Sequence, residues 1–467
     1  MLFSSLIFIF FFLPFILFFY FVILKNRRYA QNVFLFGASL FFYAWGEPWF
    51  VFIMVLSIIV NWRFGIIVGN RRKNSKSNRY SIALMLVFNL GILFIFKYLT
   101  FTLYNINNFT HITVPGIALP IGLSFYTFQA ISYVLDISRG KVEAQKKLLL
   151  VGLYISFFPQ LVAGPIIRYE TIAHQISSRK ETFEGFQQGI IRFIIGLSKK
   201  VLLANPMAIV ADYAFGLPSE ELSVSFAWIG CIAYTFQIFF DFSGYSDMAI
   251  GLAKMFGFHF LENFNYPYIS KSISEFWRRW HMSLGQWFRD YVYIPLGGSR
   301  VSKHRLIFNL FVVWLLTGIW HGANWTFVCW GLFYFVLLTF EKIVGFEKKW
   351  HFLTPFKHIY VILAFMLGWV LFRAESLIQA KDYIKIMFGM SGNSLIDINT
   401  IKYCSEYMFV FIFSFLFSMN IFCIIPEKVK QNSIIVLIYH LCLMIAFLIV
   451  VSYIAKGSYN PFIYFNF

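Results

Sequence analysis

Charge is what this sequence has least of. Asp, Glu, Lys and Arg make up 13% of its 467 residues, and acids are the scarcer sign, 21 against 39 bases. A soluble domain carries roughly 25% charged residues, so a water-facing surface over most of the chain is excluded. Linkers are missing too: no Pro-, Gly- or Ser-rich stretch divides the apolar runs, although length alone would suggest about three soluble domains. One membrane-embedded domain over 1–467 is expected. Cysteine is sparse, and Cys231, Cys329, Cys404, Cys423 and Cys442 lie scattered along apolar runs without paired spacing. That gives no support to a disulfide frame or a metal site, and the five are expected as buried small hydrophobes. No positive charge precedes the first apolar run, Leu2 to Leu24, and no small-residue cleavage site follows it, so it is read as a retained helix and not a signal peptide.

What is present is hydrocarbon: 59% hydrophobic residues, 62 of them phenylalanine. Leu2 to Leu24 is long enough to cross roughly 30 Å of bilayer core, and Lys25, Arg27 and Arg28 follow directly. Because such clusters stay cytoplasmic, the first loop is placed inside and the N-terminus outside. The same rule gives Val33 to Trp45 going out, Phe50 to Val68 returning to the bases between Arg71 and Arg79, and Ile82 to Phe96 leading to an uncharged outer loop around Asn105 to Thr113. The run from Ile117 comes back to Arg139, Lys141, Lys146 and Lys147. Leu148 to Ile167 has basic stretches on both flanks and contains Pro159 and Gly164-Pro165, so it is read as re-entrant, in protein or against a watery cavity. Further runs are Val201 to Phe215, Val224 to Phe240 continuing towards Met255, Leu306 to Trp320, Thr326 to Phe340, Ile359 to Phe372, Met408 to Ile425 and Ser433 to Val450. The reading is an all-α polytopic membrane protein of the cell membrane with about eleven spans. The net charge of +18 falls mainly in the loops placed inside; topology and attraction to anionic lipid account for it, and nucleic acid is not a partner.

Two polar islands stand out. In "WRRWHMSLGQWFRD", starting at Trp277, a helical projection puts Ile273, Trp277, Trp280, His281, Leu284, Trp287, Phe288 and Tyr291 on one face and Glu275, Arg278, Arg279, Gln286, Arg289 and Asp290 on the other. Ser272 to Glu275 has the form of a capping box, and Pro295 with Gly297-Gly298 closes the segment. Such a helix is expected to lie in the interface with its aromatics in the acyl region. His281, at the edge of that face, is either an anchor or a site residue. The second island is "LTGIWHGANWTF". Leu306 to Trp320 gives about 22 Å of helix, short for a crossing, before a turn at His321 to Asn324. A polar group that deep is functional by default.

With "PIGLSFYTFQAISYVLDISRG", "FFPQLVAGPIIRYE" and "FDFSGYSDMAIGLAKMFGF", these islands resemble the membrane-bound O-acyltransferases, most of all the bacterial alginate-type O-acetyltransferase branch. The motifs concentrate over about 115–340, in the family's order. The resemblance implies re-entrant and interfacial helices around a central tunnel, His321 as the catalytic residue, and His281 as the second signature histidine. It further implies acetyl-CoA or an acyl carrier protein as cytoplasmic donor, with no bound cofactor, and an extracytoplasmic partner acetyltransferase or polysaccharide as acceptor. A docking segment for that partner is expected in the loop from Arg373 to Lys402.

Chemistry agrees with those residue types. An alcohol attacking a thioester needs a base, and imidazole suits that role near neutral pH. His321 takes the proton; His281 positions the donor or polarises the carbonyl, with Asn324 as an amide partner and Trp320, Trp277 and Trp280 around the site. Arg278, Arg279 and Arg289, with Asp290, would face the donor's phosphates; membrane-surface charge is the alternative. Asp241, Asp247, Gln129 and Gln160, with Asp136 and Gln237, either line the tunnel or lock helices together, since an unpaired carboxylate at the bilayer centre costs roughly 2.5 to 3.5 kcal/mol. Two other readings stay open: D-alanyl transfer to teichoic acid or acetyl transfer to peptidoglycan, and, against the lack of internal repeats, an ion-coupled transporter.

Overall fold

The computed structural model describes residues 1–110, 114–162, 164–346, 354–421 and 432–463, and no strand occurs among them. Cys423, Ala163 and the last residues of the run expected to end at Ile425 lie outside the described residues, as does 111–113. The chain forms two compact units, 1–193 with 245–261 and 194–244 with 262–467. The first begins with α1 (Phe8–Ile23), α2 (Arg28–Gly46), α3 (Val51–Lys73) and α4 (Arg79–Asn107). It continues with α5 (Leu123–Ser138), α6 (Leu148–Ser156), α7 (Phe158–Leu161) and α8 (Tyr169–Ser178). Two long helices, α9 (Phe183–Gly216) and α10 (Val224–Met255), carry the chain across the unit boundaries. The second unit adds α11 (Ile273–Arg279), α12 (Met282–Phe288), α13 (Lys303–His321) and α14 (Trp325–Val344). It ends with α15 (Thr354–Arg373), α16 (Leu377–Met387), α17 (Ile398–Ser418) and α18 (Ser433–Ala455). Eight of the described helices are long and apolar enough to cross a membrane.

Several boundaries differ from the sequence reading. The first span shortens to Phe8–Ile23, with π-turns at Phe8–Phe12 and Phe19–Ile23. Pro14 explains part of this, since it supplies no N–H to the preceding turn. α4 runs on through a π-turn at Phe94–Tyr98 into the segment expected as a loop. α9 starts eighteen residues before Val201, because the cationic residues Arg192, Lys199 and Lys200 that seemed to bound the span lie inside the helix. The re-entrant segment does break, at Phe157, between α6 and α7. Of the described cysteines only Cys231 is buried; Cys329 is intermediate, and Cys404 and Cys442 are exposed. Cys442 sits on α18, an apolar helix where Val450 is the one buried residue, whereas Cys404 lies in the polar first turns of α17 with Lys402 and Glu406 exposed beside it.

Between apolar helices in lipid, packing and polar contacts do the joining. In the first unit, Gly65 and Gly69 bring α3 so close to its neighbours that a Cβ would fall 2.7 Å from the Tyr133 ring and 2.7 Å from Ala144. Asn61 and Asn89 exchange amide bonds of 3.0 and 2.8 Å between α3 and α4.

In the second unit the decisive contact is the α13–α14 hairpin. A Cβ on Gly318 would sit 2.4 Å from the Phe327 carbonyl oxygen, and one on Gly331 would sit 2.4 Å from that of Trp314. His321 is three residues beyond Gly318, so this contact fixes where the imidazole stands. Gly318→Ala is expected to force the hairpin apart, cost about 1 to 3 kcal/mol and lower activity together with the thermal midpoint. Wild-type values for both would show that the close approach is not needed.

Candidate active site

α13 is longer than its apolar run suggested. Ser302 caps it by accepting from the Arg305 N–H at 3.4 Å, and the basic residues Lys303 to Arg305 form its first turn, giving 19 residues or about 28 Å. It ends, as expected, at His321, after which Gly322 is extended and Asn324 caps α14, its Oδ1 accepting from the Thr326 N–H at 3.1 Å. The Asn324 Nδ2 donates to the Glu375 carbonyl at 2.9 Å. Both ends of the amide therefore hold the turn.

His321 is 4% exposed, boxed edge-to-face by Trp320, Trp330 and Phe372 at centroid distances of 5.0, 4.9 and 5.1 Å. His281 reaches the same region from a different element. Its ring meets Trp320 at 6.1 Å and stands perpendicular to Phe242 at 4.6 Å. Both imidazoles thus contact a single indole within one unit, though forty positions separate them in sequence.

The helix drawn through His281 is not continuous. The backbone at His281 is left-handed, φ 43° and ψ 54°, between α11 and α12, a conformation that histidine adopts more readily than most residues. The cause is a strut the sequence did not advertise. Asn263 accepts at its Oδ1 from the Ser283 N–H at 3.1 Å and the Ser283 hydroxyl at 2.9 Å, and lies 3.2 Å from His281 Nδ1. The Met282 N–H donates to the Asn263 carbonyl at 2.9 Å. A backbone N–H can only donate, so the contacted atom is the amide oxygen. It makes Nδ1 the protonated nitrogen of His281 and leaves the lone pair on Nε2. Burial pushes the His281 pKa down to about 3, so the ring is neutral.

The two faces of the α11–α12 segment separate as projected: Trp280, Leu284, Trp287, Phe288 and Tyr291 are buried, Arg278 and Arg289 exposed. The aromatic face, however, meets protein and not the acyl region. Trp277 packs on Trp314, Trp330 and Tyr334 at 4.9, 5.4 and 4.8 Å, and Trp280 on Trp369 at 4.9 Å. Aromatic rings on α13, α14 and α15 offer better-fitting contacts than fluid chains. Arg279 pairs with Glu275 at 2.8 Å and Arg289 with Asp290 at 2.8 Å.

The cap on α11 is also richer than its motif. Ser272 Oγ accepts from the Glu275 N–H at 2.9 Å, but the Glu275 carboxylate turns to the Lys271 N–H. A buried carboxylate from α14 joins in: Glu341 accepts from the N–H groups of Ile273 and Ser274 at 2.6 and 2.9 Å and from the Ser274 hydroxyl at 2.8 Å. Charged hydrogen bonds of this kind contribute about 1.5 to 3 kcal/mol. Glu341→Ala should therefore lower the thermal midpoint clearly and Glu341→Gln, which keeps one acceptor, by less; equal midpoints for all three proteins would contradict the strut.

Among the other expected residues, Asp241 pairs with Lys200 at 2.7 Å and Asp247 with Arg192 at 2.5 Å, so each carboxylate ties α10 to α9. Gln160 donates to the Tyr154 carbonyl. Gln129 is 1% exposed, with neither amide atom hydrogen-bonded among the described residues. Arg373 to Lys402 is no open loop, since it contains α16; Arg373 donates to Asp212 at 2.8 Å, and Asp397 caps α17. Across the Phe372 ring from His321 lies a cavity of about 520 Å³ whose lining includes Phe372, Asn324, Gln237, Arg373 and Glu375.

A neutral imidazole held by an amide, a second imidazole in an aromatic box and an all-helical, multi-pass membrane scaffold define an acyl-transfer enzyme once the comparisons are added. Residues 146–379 match the membrane-bound O-acyltransferase family, and the chain belongs to it. A probable alginate O-acetylase of Azotobacter vinelandii is 41% identical over 405 residues, 85% of this chain and 80% of that protein. A peptidoglycan O-acetyltransferase of Helicobacter pylori is 35% identical over 446 residues, 87% and 83% of the two chains. A teichoic acid D-alanyltransferase of Bacillus subtilis is 31% identical over 242 residues, 50% and 60%. The chain is an acyltransferase, and the transporter reading falls away.

Proposed function

We propose that the protein moves an acetyl group from acetyl-CoA to a hydroxyl group for O-acetylation of an exported polysaccharide of the alginate kind. The observation that carries this is the meeting of His321 and His281 on Trp320. Among the relatives, O-acetyltransferases support it over most of this chain, whereas the D-alanyltransferase matches half of it. His321 accepts the proton of the attacking hydroxyl as its oxygen bonds to the thioester carbon. The C–S bond then breaks, the sulfur leaves as thiolate, and the imidazolium returns a proton to give free CoA thiol. His281, neutral, directs its Nε2 lone pair towards the reacting groups and orients them.

The donor arrives from the cytoplasmic side of a cell-membrane protein whose N-terminus lies outside. Exposed Arg278 and Arg289, with Arg279, serve its phosphates. The acetyl group passes through the protein to an extracytoplasmic acceptor. Membranes containing the protein, supplied with acetyl-labelled acetyl-CoA or with D-alanyl carrier protein, test the donor. Label should leave acetyl-CoA and appear as an O-ester; turnover of the D-alanyl donor alone would transfer the assignment to that branch.

A further inference from the structure

The cavity near His321 has a polar wall that the chemistry above does not use. Phe372 lines it and also stacks edge-on to His321 at 5.1 Å, so the cavity lies one aromatic ring from the imidazole. Its volume of about 520 Å³ falls in the range of small-molecule sites.

Gln237, on α10, is 4% exposed and lines this cavity, yet its amide oxygen meets no hydrogen-bond donor among the described residues. Burying such a group unsatisfied costs about 1 to 3 kcal/mol. A cavity-lining orphan of this type is accounted for by a ligand with a donor to offer.

The charges decide what kind of ligand. Arg373 is the one cation on the wall, and it already donates to Asp212 at 2.8 Å. The other Asp212 oxygen accepts from the Tyr459 hydroxyl at 2.7 Å. Glu375 adds a second carboxylate to the same wall and shares the single cation Arg373 with Asp212, so the carboxylates outnumber it. A ligand bearing carboxylates would meet a net negative surface. Hydroxyl groups would instead find acceptors in Gln237, Asp212 and Glu375, and the C–H faces of a sugar ring would find Tyr234, Phe372 and Phe462.

We infer that this cavity binds an uncharged sugar unit of the acceptor, that Gln237 reads one of its hydroxyls, and that the wall rejects uronates. The inference rests on the acyl-transfer reading for its purpose, but its binding test does not. A polyuronate product would accordingly take its acetyl groups by transesterification outside this cavity, the ester bond to the uncharged acceptor breaking as one to a uronate hydroxyl forms and the acceptor's own hydroxyl being released.

The test is equilibrium binding of two labelled probes of equal length, a neutral tetraglucoside and a tetrauronate, to the full chain in phosphatidylcholine nanodiscs. The neutral probe should bind saturably and the uronate about tenfold more weakly or worse, with the gap narrowing in high salt as the repulsion is screened. Gln237→Leu should weaken neutral binding about tenfold without lowering the thermal midpoint, because it removes a buried orphan. Glu375→Gln, on an exposed side chain, keeps an acceptor oxygen while removing the charge and should therefore narrow the gap between uronate and neutral binding, which keeps the idea testable should the leucine variant misfold. Uronate binding as tight as neutral, no saturable sugar binding, or undiminished binding by a folded Gln237→Leu would each overturn it. His321→Ala separates the two claims: retained probe binding with lost transfer supports both, while retained transfer sinks the base assignment and leaves the cavity assignment standing.

Discussion

Membranes carrying His321→Ala are expected to transfer acetyl groups about 10²- to 10⁴-fold more slowly than wild type, the range for removal of a positioned general base. The loss should fall on kcat, because in the proposed mechanism the imidazole takes the proton of the reacting hydroxyl, and it is boxed by Trp320, Trp330 and Phe372. A kcat loss with donor KM nearly unchanged is the pattern for an interaction made chiefly in the transition state. His321→Gln fills more of the box and so controls for collapse of the aromatic walls. The pH profile separates the two histidines. His281 is held neutral down to about 3 by burial, so it carries no charge change between about pH 5 and 8, where a histidine base ordinarily titrates. An acidic limb in that window is therefore not the titration of His281. Replacing His281 by Asn should lower the rate without moving the limb, and a limb that moved would return the proton-transfer role to His281.

How much of this was legible in advance depended on whether a feature is local in sequence. The helix end and the turn at His321 to Asn324 could be read directly, since those four residues are consecutive, whereas the capping role of Asn324 was not read. The faces of the segment around Trp277 were equally visible through periodicity. What covers that aromatic face was not visible, because period alone does not distinguish lipid from Trp314, Trp330 and Trp369. Continuity through His281 failed for a related reason: the kink is held by Asn263, eighteen residues earlier in a segment with no pattern. Glu341 did leave a signal, a lone carboxylate on an apolar helix, and such a group calls for a partner. Its partner, the start of α11, lies sixty-seven and sixty-eight residues away. Charged residues inside spans misled the boundaries most, as at Lys200, where an apparent span edge is an intrahelical cation matched by Asp241.

That pair carries the second large effect. Lys200 and Asp241 lie 2.7 Å apart with side chains 4% and 1% exposed, and removing one member of a buried pair strands the other charge at a cost of about 3 to 5 kcal/mol. Lys200→Met alone should therefore unfold at a much lower temperature or denaturant concentration. Replacing both, Lys200→Met with Asp241→Leu, removes the stranded charge, and buried pairs exchanged for apolar residues are often neutral in stability. The double variant should thus recover most of the loss, and additive losses would refute the pairing as the source of the effect. Recovery of function should not follow. Lys200 also donates to the Pro461 carbonyl, and Asp241 accepts from the Ile463 N–H at 2.9 Å. Pro461, Phe462 and Ile463 form part of the wall of the cavity beside His321. A stable double variant with weakened sugar binding would show that the ion pair shapes the acceptor cavity through the chain's last described residues, over and above joining α9 to α10. Wild-type binding in that variant would confine the pair to helix packing.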